Sequence, residues 1–87
     1  MRVKFKKGKQ REFIGKVIEQ LNLVSLRSLL QYGFDVPYST LKNYYVEDRT
    51  LPNEFFEQLC DLSKLNKKDF NYEIIEDNWG QVKGGMK

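Results

Sequence analysis

The chain has 87 residues, enough for one modest hydrophobic core and too few for a second domain. With one cysteine and no histidine it lacks the residues for an internal disulfide, the usual zinc sites and histidine-based catalysis. It has no apolar run of about 20 residues and no signal peptide, so we expect a cytoplasmic protein that does not enter a membrane. We also expect no metal, no cofactor and no enzymatic activity.

The net charge of +3 is unevenly distributed along the chain. Residues 1–11 contain six of the fifteen lysines and arginines and no acidic residue, which leaves nine basic residues against twelve acidic ones in the rest. We therefore predict a basic arm over residues 1–9. Such an arm can neutralise nucleic-acid phosphates, follow a groove or solubilise the chain. Its candidate phosphate-binding residues are Lys4, Lys6, Lys7 and Lys9.

The first elements in chain order are a weak strand pattern and two helices. Basic residues alternate with apolar ones over residues 2–6, which suits a short strand or an extended arm. Apolar residues then recur at helical spacing from Gln10 to Asn22, at Phe13, Ile14, Val17, Ile18 and Leu21. A second helix of about two turns is predicted over residues 26–33, with Ser25 as its N-cap and Gly33 as its C-cap.

The third predicted helix, over residues 37–46, has a polar face. Pro37 suits its first turn, and Leu41 with Tyr44 or Tyr45 points inward. The residues between them are too polar for a core, which leaves that face free to contact a partner: Ser39, Thr40, Lys42 and Asn43.

A fourth helix is predicted after the loop that ends at Pro52, with Asn53 as its cap and apolar residues on its inner side. Cys60 lies on this apolar stripe, and we interpret it as buried filler. One short helical turn is expected near residues 67–70. The segment 73–87 is expected to be a short strand, an extended linker or both.

Together these elements predict an all-α protein, a compact bundle of four to five short helices. The bundle spans residues 10–72, with the basic arm before it and the extended tail, residues 73–87, after it. Within the bundle, the second and third helices are separated by a tight turn and buttressed by the other two. This is the arrangement of a helix-turn-helix.

The segment VPYSTLKNY at residues 36–44, followed by RTLP at residues 49–52 and an apolar helix, resembles the phage repressor and Cro class (Xre-type) of helix-turn-helix DNA-binding domains. The resemblance covers about residues 10–70. It implies sequence-specific binding of double-stranded DNA by a recognition helix, residues 37–46, in the major groove. Where glycine usually follows that helix in the class, this chain has Glu47.

The resemblance also implies roles for individual residues. It puts Tyr38, Ser39 and Asn43 at base-reading positions, with Thr40 and Lys42 beside them at the groove wall. It further implies that Arg27 and Arg49 are phosphate anchors.

The segment NWGQVKGG at residues 78–85 is similar to one that follows such domains in archaeal proteins related to homing endonucleases. The similarity indicates a module related to larger DNA-acting proteins. Trp79 in this segment either packs against the core or stacks on nucleic acid.

Three functions remain open from the sequence. The first is a transcriptional regulator or DNA-targeting module that acts as a homodimer or within a larger parent chain, because one small helix-turn-helix covers one half-site. The second is a protein-interaction or antitoxin-like domain with the same fold. The third is an enzyme fragment or RNA binder, which the lack of a carboxylate cluster and of an aromatic sheet motif disfavours.

Overall fold

Helices occupy the predicted positions in the structure, a computed structural model that describes residues 1–76. The elements in chain order are strand β1 (Arg2–Phe5), helix α1 (Lys9–Gln20), a 3₁₀ helix (Leu26–Tyr32), helix α2 (Tyr38–Tyr45), strand β2 (Leu51–Pro52), helix α3 (Asn53–Ser63), a short 3₁₀ turn (Lys67–Asp69) and strand β3 (Tyr72–Ile75).

The all-α prediction is wrong, because the helices pack with a three-stranded antiparallel sheet in the order β2-β1-β3. In the register of the sheet, Arg2 lies between Pro52 of β2 and Ile75 of β3. The segments expected to be an arm and a tail outside the bundle therefore contribute β1 and β3. Alternation explains why β1 forms: Val3 and Phe5 are buried on one face, while Lys4 is exposed on the other.

The core lies between the inner face of the sheet and the three α-helices. Its centre is aromatic: the ring of Phe56 on α3 lies 5.0 Å from Phe13 on α1, 5.7 Å from Phe5 on β1 and 4.8 Å from Tyr72 on β3. Such edge and tilted contacts are favourable beyond simple area burial. Strands and helices thus share one core, and the N-terminal strand cannot be removed without exposing it.

The second predicted helix is a 3₁₀ helix instead of an α-helix. Gly33 ends it in the left-handed region, with φ 84°, as the C-cap prediction required. Ser25 precedes it without a side-chain cap hydrogen bond. The tighter winding puts residues three apart in one row, so Leu26 lies beside the fully buried Leu29.

No helix within residues 1–76 is both long and apolar enough to cross a membrane. The predictions for Trp79 and for the segment 78–85 lie outside the described residues.

Candidate nucleic-acid interface

Helix α2 has a buried side and a polar ridge. Leu41 is fully buried and Tyr44 is 4% exposed, so they anchor the helix in the core. Ser39 and Lys42 are exposed on the other side, with Asn43 half-buried beside them. Residues four apart are one turn apart on a helix, so Ser39 and Asn43 are neighbours along its surface. We call Ser39, Lys42 and Asn43 the α2 ridge.

The polar groups of the α2 ridge are free to bind something else. Within residues 1–76, none of its three side chains forms a hydrogen bond or an ion pair. An amide, a hydroxyl and an ammonium group therefore face solvent together. The other two predicted base-reading residues, Tyr38 and Thr40, are half-buried at the edges of the helix.

The C-terminal end of α2 is fixed to α1 by a buried glutamine. Gln10 is 4% exposed, and its Nε2 donates hydrogen bonds of 2.7 Å to the carbonyl oxygens of Tyr44 and Arg49. One amide group thus ties α1 to the last turn of α2 and to the loop after it. Since buried polar groups are costly unless paired, these bonds restrict where α2 can lie.

Glu47 makes a second connection between these helices. It follows α2 with φ 71°, in the left-handed region that favours glycine. Its carboxylate accepts hydrogen bonds from the backbone N–H groups of Gly8 (2.7 Å) and Arg11 (3.0 Å), at the start of α1. Glu47 stands where the resembled class usually has glycine. Its charged side chain caps the N-terminus of α1.

The pKa of Glu47 reflects this position. Partial burial on its own raises the pKa, but the backbone N–H groups of Arg11, Gly8 and Gln10 and the charge of Arg11 outweigh it, so the pKa is lowered overall. The carboxylate is therefore ionised at neutral and basic pH, where it caps the start of α1.

The predicted phosphate anchors are divided between the two ends of α2. The Arg27 guanidinium lies over the Tyr38 ring, 4.8 Å from its centroid, at the N-terminal end. Arg49, Lys4 and Lys7 line one depression of about 450 Å³ beside the loop that follows the C-terminal end, and Glu47 and Asp48 line it as well. The structure therefore brings three of the predicted basic residues together and puts Arg27 apart from them.

Lys6 and Lys9 lie in a different place. They line a smaller depression that also contains the acidic side chains of Glu12 and Asp69. The Nζ of Lys9 is 3.8 Å from the Oε1 of Glu12, in an exposed pair of the kind that contributes little. The six predicted phosphate-binding residues thus do not share one depression, and each depression that some of them line also contains acidic residues.

One basic residue beside α2, Arg11 of α1, is not among the residues that the sequence singles out. Its guanidinium lies over the Tyr45 ring, 5.0 Å from the centroid. Nothing local in the sequence pairs residues 11 and 45, because the contact depends on how α1 and α2 cross.

A second groove of the molecule has an acidic lining. A groove of about 790 Å³ lies between the 32–36 segment and α3, and it contains Phe34 and Phe55. Its charged lining residues are all acidic, namely Asp35, Glu54 and Asp61. Such a lining repels the phosphates of nucleic acid.

Cys60 and the acidic side chains are the remaining groups that could react or bind a metal ion. Cys60 is 4% exposed, and burial raises the pKa of its thiol to about 11. Within residues 1–76, no group of three or more cysteine, aspartate or glutamate side chains is arranged to hold a metal ion.

Comparisons of the chain with protein-family models, with curated proteins and with solved structures give no match, so its function is inferred from its own residues and geometry.

Proposed function

We propose that this chain binds double-stranded DNA sequence-specifically, with α2 in the major groove, as a transcriptional regulator or DNA-targeting module. The observation that carries the proposal is the α2 ridge: Ser39, Lys42 and Asn43 face outward with unused polar groups, while Leu41 and Tyr44 hold the helix in the core. Each base pair shows a distinct pattern of donors and acceptors in the major groove, so such a ridge can distinguish sequences.

Each ridge residue has a role that follows from its chemistry. Asn43 can pair with the N6 and N7 atoms of adenine through two hydrogen bonds, and Ser39 can donate or accept one. Lys42 can reach a guanine or a nearby phosphate. Arg27 at one end of α2 and Arg49 with Lys4 and Lys7 at the other supply positive charge for phosphates.

The polar side chains of the α2 ridge favour DNA binding over the alternative, a protein-interaction or antitoxin-like domain. For that alternative we would expect apolar side chains at the same place. A domain of this size covers one half-site, so we expect it to act as a homodimer or within a longer chain.

The proposal is tested by selecting bound sites from random duplexes at near-physiological salt. We expect a defined site, and a palindromic one if the chain acts as a dimer. On that site Asn43→Ala should cost about 1–3 kcal/mol and relax discrimination at one position. Arg49→Ala should weaken binding to all sequences alike, and Gln58→Ala, an exposed position on α3, is the control. Equal losses for Asn43→Ala and Arg49→Ala on every duplex would contradict base reading.

A further inference from the structure

Two arginines lie on tyrosine rings along one side of α2. Tyr38 and Tyr45 are seven residues apart, which is about two turns, so their rings lie nearly in line along the helix and about 10 Å apart. Arg27 covers the first ring, with its Cζ 4.8 Å from the centroid, and Arg11 covers the second at 5.0 Å. We call the two Arg–Tyr pairs the α2 flank. It borders the α2 ridge on the side of Lys42.

Both guanidinium groups have donors to spare. Arg11 and Arg27 are exposed, and neither side chain forms a hydrogen bond or an ion pair within residues 1–76. A guanidinium has five N–H donors, and since no other side chain of this range uses them here, they are free to bind an anion while the ring holds the group. The ring also limits the motion of the side chain, so less freedom is lost when an anion binds.

Hydrogen bonds between the start of α1 and the end of α2 support the pairing of Arg11 with Tyr45. The N–H of Arg11 donates to the carboxylate of Glu47, and the neighbouring Gln10 side chain bonds to the carbonyl oxygens of Tyr44 and Arg49. The start of α1 is therefore held against the end of α2, where Tyr45 lies.

We infer that the α2 flank binds the phosphate backbone of one DNA strand, with Arg11 as a phosphate anchor in addition to Arg27. This inference rests on the proposed function. The major groove is about 12 Å wide and a helix with its side chains is about 10–12 Å across, so a helix that fills the groove has its flanks against the two backbones. Because both arginines lie on the same flank, they contact the same strand. Tyr38 and Tyr45 act as positioning residues that hold the guanidinium groups.

The test measures how the affinity of the full chain for its selected duplex depends on salt. Each phosphate contact contributes about 0.9 to the slope of log K against log salt concentration, which corresponds to about 3- to 4-fold in affinity between 50 and 200 mM salt. For each bound chain, we expect Arg11→Ala to lower the slope by about 0.9 and the double variant with Arg27→Ala to lower it by about 1.8. Lys16→Ala removes an exposed charge from another side of α1 and should leave the slope unchanged.

A second pair of variants tests the role of the ring. Tyr45→Leu keeps the charge of Arg11 but removes its support, and we expect affinity to fall by about 2- to 5-fold with little change in slope. Tyr45→Phe keeps the ring and should bind like the wild type. Circular dichroism of each variant verifies that the fold is retained.

A strand-specific experiment completes the test. Replacing single phosphates of the duplex by uncharged methylphosphonates should show, within each half-site, two positions on one strand that weaken the wild type through Arg11 and Arg27, and Arg11→Ala should be insensitive at one of them. An unchanged slope in Arg11→Ala, or an equal change in Lys16→Ala, would overturn the inference while leaving the proposed function intact. If the wild type selects no duplex at all, the proposed function fails and this inference with it.

Discussion

Replacing Gln10 by methionine, which has a similar shape and no hydrogen-bonding hydrogens, should destabilise the protein markedly. The Gln10 side chain is buried and donates two 2.7 Å hydrogen bonds to the carbonyl oxygens of Tyr44 and Arg49. A typical hydrogen bond contributes about 0.5–1.5 kcal/mol, so losing both should lower the free energy of unfolding by about 2 kcal/mol. For a domain of this size that corresponds to a fall in Tm of about 8–16 °C.

The assay is urea and thermal unfolding followed by circular dichroism. Gln20→Met, at the exposed end of the same helix, is the matched control and should stay within about 0.5 kcal/mol of the wild type. If the free energy of unfolding of Gln10→Met is also within about 0.5 kcal/mol of the wild-type value, the Gln10 amide does not connect α1 to the end of α2 in the way described.

Three further predictions concern Glu47, Cys60 and Phe5. Because the pKa of Glu47 is lower in the folded protein than its ordinary value of 4.5, its carboxylate stabilises the fold above that value and stops doing so as pH falls through the lowered pKa. The Tm difference between the wild type and Glu47→Gln should therefore be largest near neutral pH and shrink towards pH 3; a difference independent of pH would contradict the capping role. The Cys60 thiol, with a pKa of about 11, is thiolate in only about one molecule in a thousand at pH 8, so a disulfide reagent should label it slowly in buffer and rapidly in urea. Rapid labelling without urea would show that the thiol is accessible. Phe5→Ala should cost about 3–5 kcal/mol in unfolding free energy because its ring contacts three others, whereas Lys4→Ala on the outer face should cost less than about 0.5 kcal/mol; equal small losses would mean that β1 is dispensable.

The helices and the orientation of α2 were predictable because both depend on local patterns. Phe13 and Val17 mark one side of α1 by their spacing, and Gly33 marks the end of the 3₁₀ helix by its tolerance of positive φ. The contrast between Leu41 and Ser39 indicates which side of α2 is buried. Each of these signals lies within a few residues of the element that it defines.

The sheet and the arginine pairs were not predictable for the opposite reason. Val3 and Phe5 alternate with basic residues, but a pattern of four residues does not show that strands from residues 51–52 and 72–75 pair on both sides of it. Arg11 meets Tyr45 only because α1 crosses α2 at that point. A glutamate with positive φ, such as Glu47, is likewise explained only when its carboxylate is seen at the start of α1.

The pairing of Arg2 with Ile75 has a consequence for the order in which the protein assembles. Joining segments about 70 residues apart costs about 2 kcal/mol more chain entropy than joining segments about 7 apart. The helices can begin to associate early, but β1 stays without its β3 partner until residues 72–75 have been synthesised. Completion of the sheet is therefore a late step, and we expect it to limit the rate of folding.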